Sequence, residues 1–265
     1  MTYPERPLQG SVLHWRDGHI AHIRFNRPAA LNALNVPMTE AFHQACRCVE
    51  ADPLARVLVL SGEGRAFQAG GDVAAMVASP EAVAAALIEH MHGAIQTLNR
   101  LRCPIIAQVQ GAAAGAAIGL LMASDLVVAS ENARFSLAFP ALGASADSSS
   151  TWGLPRMLGL RRALQFALLG EALDAQRALT WGLVSEVVPA SELSTTVEQW
   201  SSKIAASSPL ALGAIKKLLR SALDHPLAEH LLAEGSAFQE CARTEDFKEG
   251  CEAFLAKRFP KFEGR

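Results

Sequence analysis

The chain has little net charge, few cysteines and no unbroken apolar run, and each shortage removes a class of function. Its 265 residues carry a formal charge of -2, so no basic field is available for nucleic acid or a membrane surface. The cysteines number five, an odd count without a CxxC pair, which argues against a disulfide framework and for reduced thiols in the cytoplasm. Cys46 and Cys48 stand two apart on a predicted helix and point in different directions, so no metal site is expected. The first ten residues include Pro4, Glu5, Arg6 and Pro7 and lack the apolar core of a signal peptide. The longest uncharged window, residues 105–124, is interrupted by Gln110 and by glycines. It reads as a buried strand and helix rather than a membrane span. Those glycines also lack GxGxxG spacing, and no acidic residue follows at the distance a dinucleotide ribose needs.

What is present is a large apolar fraction, 50% of the residues, enough for one sizeable core with an appendage. Residues 105–109 lead into Gly111-Ala112-Ala113-Ala114-Gly115-Ala116-Ala117-Ile118-Gly119, which predicts a strand, a small-residue turn and a helix. A helix start presents main-chain N–H groups with no acceptor inside the helix. Small side chains let a ligand approach them, and such donors can hold a developing oxygen anion; a tightly packed buried helix is the plain alternative. A second turn of the same kind, Ala66-Phe67-Gln68-Ala69-Gly70-Gly71-Asp72, follows an apolar run at 56–61.

Around these turns the periodicity predicts a hairpin from 11–15 and 19–25 about Asp17-Gly18. A helix follows at 35–51, with apolar Met38, Ala41, Phe42, Ala45 and Val49 on one face and Pro37 in its first turn. Asp72 is expected to cap the N–H of Ala74 or Ala75. A helix at 82–101 carries His90 and His92, read as helix-surface histidines in preference to a general base. Strands alternating with helices favour an α/β layout. Beyond residue 205 the pattern becomes helical: Ser207 or Ser208 caps a helix with Pro209 in its first turn, and 227–242 and 244–258 follow. The chain thus divides into a core at 1–205 and a C-terminal helical region at 206–265. No internal repeat is visible.

These two turns are accompanied by Asn26-Arg27-Pro28 and Leu31-Asn32-Ala33-Leu34 before them. Gly182-Leu183-Val184, Val187-Val188 and Ala253-Phe254-Leu255-Ala256-Lys257-Arg258 come after. In this order the motifs resemble the enoyl-CoA hydratase/isomerase (crotonase) superfamily over nearly the whole chain. The resemblance implies a ClpP/crotonase-like superhelix of repeated ββα units, of class α/β. It also implies a C-terminal helical region that assembles subunits into a homotrimer or a dimer of trimers. The implied substrate is an acyl-CoA thioester, with no cofactor beyond its CoA moiety.

Carried over motif by motif, the resemblance assigns the two oxyanion donors to the N–H groups of Gly71 and Ala116, each worth roughly 2.7–4 kcal/mol in a working oxyanion hole. CoA is expected across Ala29, Leu31, Gln68 and Ala69, and Lys257 is expected to reach the CoA phosphates held by a neighbouring subunit. Position 29, where relatives often carry lysine, is alanine. Hydratases of the family use two glutamates at places that here hold Gly119 and Phe139, neither of which transfers a proton. An aspartate stands instead where Asp147 is in the superfamily's 1,2-epoxyphenylacetyl-CoA isomerase type and in its aryl-CoA dehalogenases. The usual glycine pair after it is replaced by Ser148 and Ser149. The expected reaction is a 1,3-proton shift by Asp147 that moves a double bond or opens a ring epoxide, with Phe139, Leu142 and Trp152 as apolar surroundings. Hydration, dehalogenation and non-catalytic acyl-CoA binding remain as alternatives.

Overall fold

The computed structural model describes residues 9–265; most of the first ten residues, read above as lacking a signal peptide, lie outside the described part. Strands β1 (Val12–Asp17) and β2 (Ile20–Phe25) are followed by α1 (Val36–Glu50), β3 (Val57–Gly62), α2 (Val73–Ala78) and α3 (Pro80–Arg100). Then come β4 (Ile105–Val109), β5 (Ala112–Ala114), α4 (Ala116–Ala123), β6 (Leu126–Ser130), β7 (Arg134–Ser136), α5 (Ser150–Leu158) and α6 (Leu160–Leu169). Strand β8 (Leu173–Asp174), α7 (Ala175–Trp181), β9 (Glu186–Val188), α8 (Leu193–Ala205), α9 (Pro209–Ser221), α10 (Leu227–Ala242) and α11 (Glu245–Leu255) complete the chain.

Six strands form one sheet in the order β1-β2-β3-β4-β6-β9, parallel except for the β1–β2 hairpin. The hairpin turns one residue later than Asp17-Gly18, because Asp17 pairs with Ile20 and stays in the strand, leaving Gly18 at φ 54 with His19 in the turn. The parallel strands are buried on both faces, as crossover helices require. Leu58 and Leu60 join the main core with Phe25, Met38 and Phe42. Val57 and Val59 point the other way and pack with Ile106, Val128 and the α8 residues Leu193 and Val197.

A second, smaller layer runs beside this sheet. Strand β5 pairs parallel with β7, β7 antiparallel with β8, and single bridges join Gln68 to Ala113 and Leu34 to Gly71. Four of the six large-sheet strands are each followed by a short small-layer segment and then a helix: β2, Leu34 and α1; β3, the segment holding Gln68 and Gly71, and α2; β4, β5 and α4; β6, β7 and α5. This is the expected superhelix of ββα units. Its repeat is invisible in the sequence because the small-layer segments are at most four residues long and share backbone geometry rather than side chains.

Local chemistry sets the helix starts. Asn35 caps α1 by accepting from the Met38 N–H at 3.1 Å, and Asp72 caps α2 by accepting from Ala75 at 3.4 Å. Such caps contribute about 1 kcal/mol each. Helix α3 begins at Pro80, earlier than the expected residue 82, because proline is accepted in a first turn. Ser208 caps α9. Helix α10 buries none of its residues, and Leu227, Leu231, Leu232 and Phe238 are exposed on it. Among the described residues no helix is long and apolar enough to cross a membrane.

Candidate active site

Asn32 builds the turn at 66–72. Fully buried and in a left-handed conformation at φ 59, it accepts from the Arg27 N–H at 2.8 Å. Its amide donates to the carbonyls of Ala66 (2.8 Å), Glu63 (3.0 Å) and Phe67 (3.2 Å). The segment 28–34 is thereby stapled to 66–72: the Ala69 N–H donates to Leu31, the Leu34 N–H to Gly70, and the Asp72 N–H to Leu34. Arg27 adds an ion pair to Asp72 at 3.0 Å. Ala29 is exposed here, and Leu31 and Ala69 are half-buried. The Gln68 side chain is buried and donates to the Gly70 carbonyl at 2.7 Å, and its main-chain N–H and carbonyl pair with Ala112 and Ala114, so the residue offers no free polar group outward. In the sequence Asn32 stands only as one residue of the Leu31-Asn32-Ala33-Leu34 motif. The signal for its role was a polar amide inside an otherwise apolar run.

The two turns touch. A Cβ on Gly115 would lie 3.3 Å from the Gly70 Cα, and one on Gly70 would lie 3.3 Å from the Ala114 carbonyl. Gly70 and Gly115 have positive φ, 92 and 56, which glycine adopts without steric penalty. The Leu34–Gly71 bridge uses the Gly70 carbonyl and the Asp72 N–H. In a parallel ladder this turns the Gly71 N–H to the opposite edge, the one along which Gln68 pairs with Ala113. Ala116 is the first residue of α4, so its N–H has no acceptor within the helix. Two main-chain donors thus come from adjacent small-layer segments, and the Met76 methyl group covers Gly71 from the α2 side.

The loop carrying Asp147 lies on the first turns of α4. A Cβ on Gly119 would overlap the Ser148 carbonyl oxygen and come within 2.9 Å of the Ser148 Cβ. Further along, Gly153 of α5 packs against Met122 in the same way, at 2.6 Å. Ser148 and Ser149, which stand where the resemblance leads one to expect a glycine pair, both adopt left-handed conformations, φ 54 and 65. Such backbone costs about 1–2 kcal/mol per non-glycine residue. Strain of this kind persists where the surroundings over-determine it and clusters at functional sites. The Oδ1 of Asp147 and the hydroxyls of Ser148 and Ser150 are buried without a protein hydrogen-bond partner. A buried polar atom in that state costs about 1–3 kcal/mol until a water or ligand satisfies it.

The surroundings of Asp147 differ from expectation in part. Phe139 does face the site, its ring tip 3.9 Å from a Gly115 Cβ position. Leu142 and Trp152 are 55% and 47% exposed, and Trp152 stacks under Arg156 at 4.0 Å. Trp152 points outward because α5 turns its Ser150, Gly153 and Leu154 face to the core. The His90 ring belongs to the α1–α3 contact, 6.4 Å from His43, while His92 is exposed. Burial, then the neighbouring His90, hold His43 below the ordinary histidine range. Lys257 is exposed beyond the end of α11 at φ 52, its N–H donating to Phe254.

The enoyl-CoA hydratase/isomerase family profile matches residues 16–265. The 1,2-epoxyphenylacetyl-CoA isomerase of Escherichia coli (strain K12) is 36% identical over 92% of this chain and 94% of that protein. The 2,3-dehydroadipyl-CoA hydratase of the same strain is 38% identical over 94% of this chain and 97% of that protein. A crystal structure of an enoyl-CoA hydratase from Bacillus anthracis superposes with a TM-score of 0.93 at 28% identity, covering 97% of this chain and all of that one. Fold, motifs and relatives agree: the chain belongs to the enoyl-CoA hydratase/isomerase family of the crotonase superfamily.

Proposed function

We propose that the chain is an acyl-CoA isomerase that shifts a double bond, or opens a ring epoxide, with a single carboxylate. The N–H groups of Gly71 and Ala116 hold the thioester oxygen as it gains negative charge. Asp147 removes a proton from the acyl chain and returns it at another carbon. CoA lies across Ala29, Leu31, Gln68 and Ala69, with Lys257 of a neighbouring subunit at its phosphates. No cofactor other than the CoA of the substrate takes part. The exposed apolar faces of the C-terminal helices support assembly as a homotrimer or a dimer of trimers.

One observation carries the reading. The Asp147 loop fills the volume that a carboxylate at position 119 would need, while leaving the Asp147 Oδ1 buried without a protein partner. The site therefore has one proton-transfer group where hydratases of the superfamily use two. Hydration keeps a place as second reading because a hydratase is among the relatives at 38% identity. The purified protein should convert a 3-enoyl-CoA to its conjugated isomer without adding water to a 2-enoyl-CoA, followed by absorbance and product mass. Asp147→Asn should lower that isomerisation about a hundredfold or more. Water addition by the wild type, or an unaffected variant, would overturn the assignment.

A further inference from the structure

We infer that Arg220 is a positioning residue for the oxyanion donor at Ala116, acting through the far end of α4. The inference rests on the role proposed above for Ala116. Helix α4 has eight residues, all buried and none with a polar side chain, and spans about 12 Å at 1.5 Å per residue. A helix that is hydrophobic all round has no side-chain hydrogen bond to fix its place along its own axis, so beyond packing only its ends can add such restraint.

At the start, the Gly115 N–H donates to Ser136 at 3.0 Å. At the end, the four carbonyls that a helix leaves free are all taken. Leu120 accepts from the Ser124 N–H (3.0 Å) and hydroxyl (2.9 Å), and Leu121 accepts from the Ser124 N–H (3.2 Å). Met122 and Ala123 accept from the Arg220 guanidinium at 3.4 and 2.9 Å. A cation there also complements the negative end of the helix dipole.

The guanidinium is itself held by its neighbours. Its Nε donates to Asp125 Oδ1 at 2.7 Å and its Nη1 to Asn99 at 3.3 Å. Asp125 is bolted to the start of β4, its Oδ2 accepting from the Ile105 N–H at 2.8 Å and its own N–H donating to Ile105 at 2.9 Å. Arg220 therefore ties the end of α4 to the strand that leads into its beginning. Lys216, also on α9, makes a useful contrast. It binds the same carboxylate and the Cys103 carbonyl, each at 2.8 Å, and neither partner lies in α4. Removing Arg220 takes away the clamp on the last carbonyls of α4, whereas removing Lys216 leaves that clamp in place.

The test separates positioning from plain stability. Butanoyl-CoA carrying ¹³C at the thioester carbonyl has no double bond to move, and its carbonyl stretch reports hydrogen bonding to that oxygen. The wild-type complex should show the band shifted to lower frequency than in solution. Arg220→Gln should lose much of that shift, with kcat on a 3-enoyl-CoA down about tenfold or more and KM nearly unchanged, and Arg220→Lys should recover part of both. Lys216→Met should lower the melting temperature and keep the full shift. If the Arg220 variants lower the melting temperature but leave the band where the wild type has it, the inference is wrong. Should Arg220→Gln fail to fold, Arg220→Lys decides alone: an unchanged band overturns the inference. Absence of any shift in the wild type would instead sink the role given to Ala116.

Discussion

The carbonyl oxygen of Ser148 occupies the space into which a side chain at Gly119 would project. The obstacle is main chain, not a flexible side-chain tip, so little relief is available. Gly119→Ala should therefore destabilise the fold by about 3 kcal/mol, at the upper end of overpacking effects, as read from the urea midpoint. Gly119→Glu should fail to restore hydration of a 2-enoyl-CoA for the same reason; a hydrating variant would show that the loop yields.

Ala116 offers a cleaner probe of the main chain than most positions. It is the first residue of its helix, where proline is well accepted, and proline carries no N–H. Ala116→Pro should keep its circular dichroism and melting temperature and lose about a hundred- to a thousandfold in kcat. Wild-type turnover in this variant would remove Ala116 from the mechanism.

Asn32 makes four hydrogen bonds from a fully buried site. Asn32→Ala leaves three carbonyls and one N–H to find other partners, so a loss of about 3 kcal/mol or more is expected. Because those bonds join 28–34 to 66–72, CoA affinity should fall alongside stability, and calorimetric titration with CoA measures it.

Glu249 sets an acid limit on the C-terminal tail. Paired hydrogen bonds from Arg258 at 2.6 and 2.7 Å, then one from the Lys261 N–H at 2.7 Å, depress its carboxyl from the ordinary 4.5 to about 2. A depressed carboxyl stabilises the fold fully above its unfolded value and stops doing so as pH falls through the folded one. Amide protection around Lys261 should therefore hold above pH 4.5 and fade toward pH 2. In Glu249→Gln the same amide should show no such step.

What could be read in the sequence was local. The caps at Asp72 and Ser208, the hairpin, and helices α1 and α10 follow from a few neighbouring residues, and the fold class followed from motif order. The rest depends on contacts that no local pattern records. The small-layer strand β5 is Ala112-Ala113-Ala114, which has no periodicity to detect. The guanidinium of Arg220 meets carbonyls 97 and 98 positions earlier in the chain. At Asp147 the identity of the residue was legible, but its setting was not. Leu142 and Trp152 turn outward, and Ser148 and Ser149 take up backbone conformations that serine alone does not announce.

The Gln68–Ala113 bridge has a metric consequence. The segments that lead to Gly71 and Ala116 are joined at this bridge, so the spacing from which the two turns set out is the interstrand repeat of a sheet, about 4.8 Å. That dimension belongs to the peptide group and is indifferent to which small side chains line the turns. Substitution of those side chains tunes what surrounds the gap between the turns; an inserted or deleted residue between the bridge and the helix start changes the gap itself.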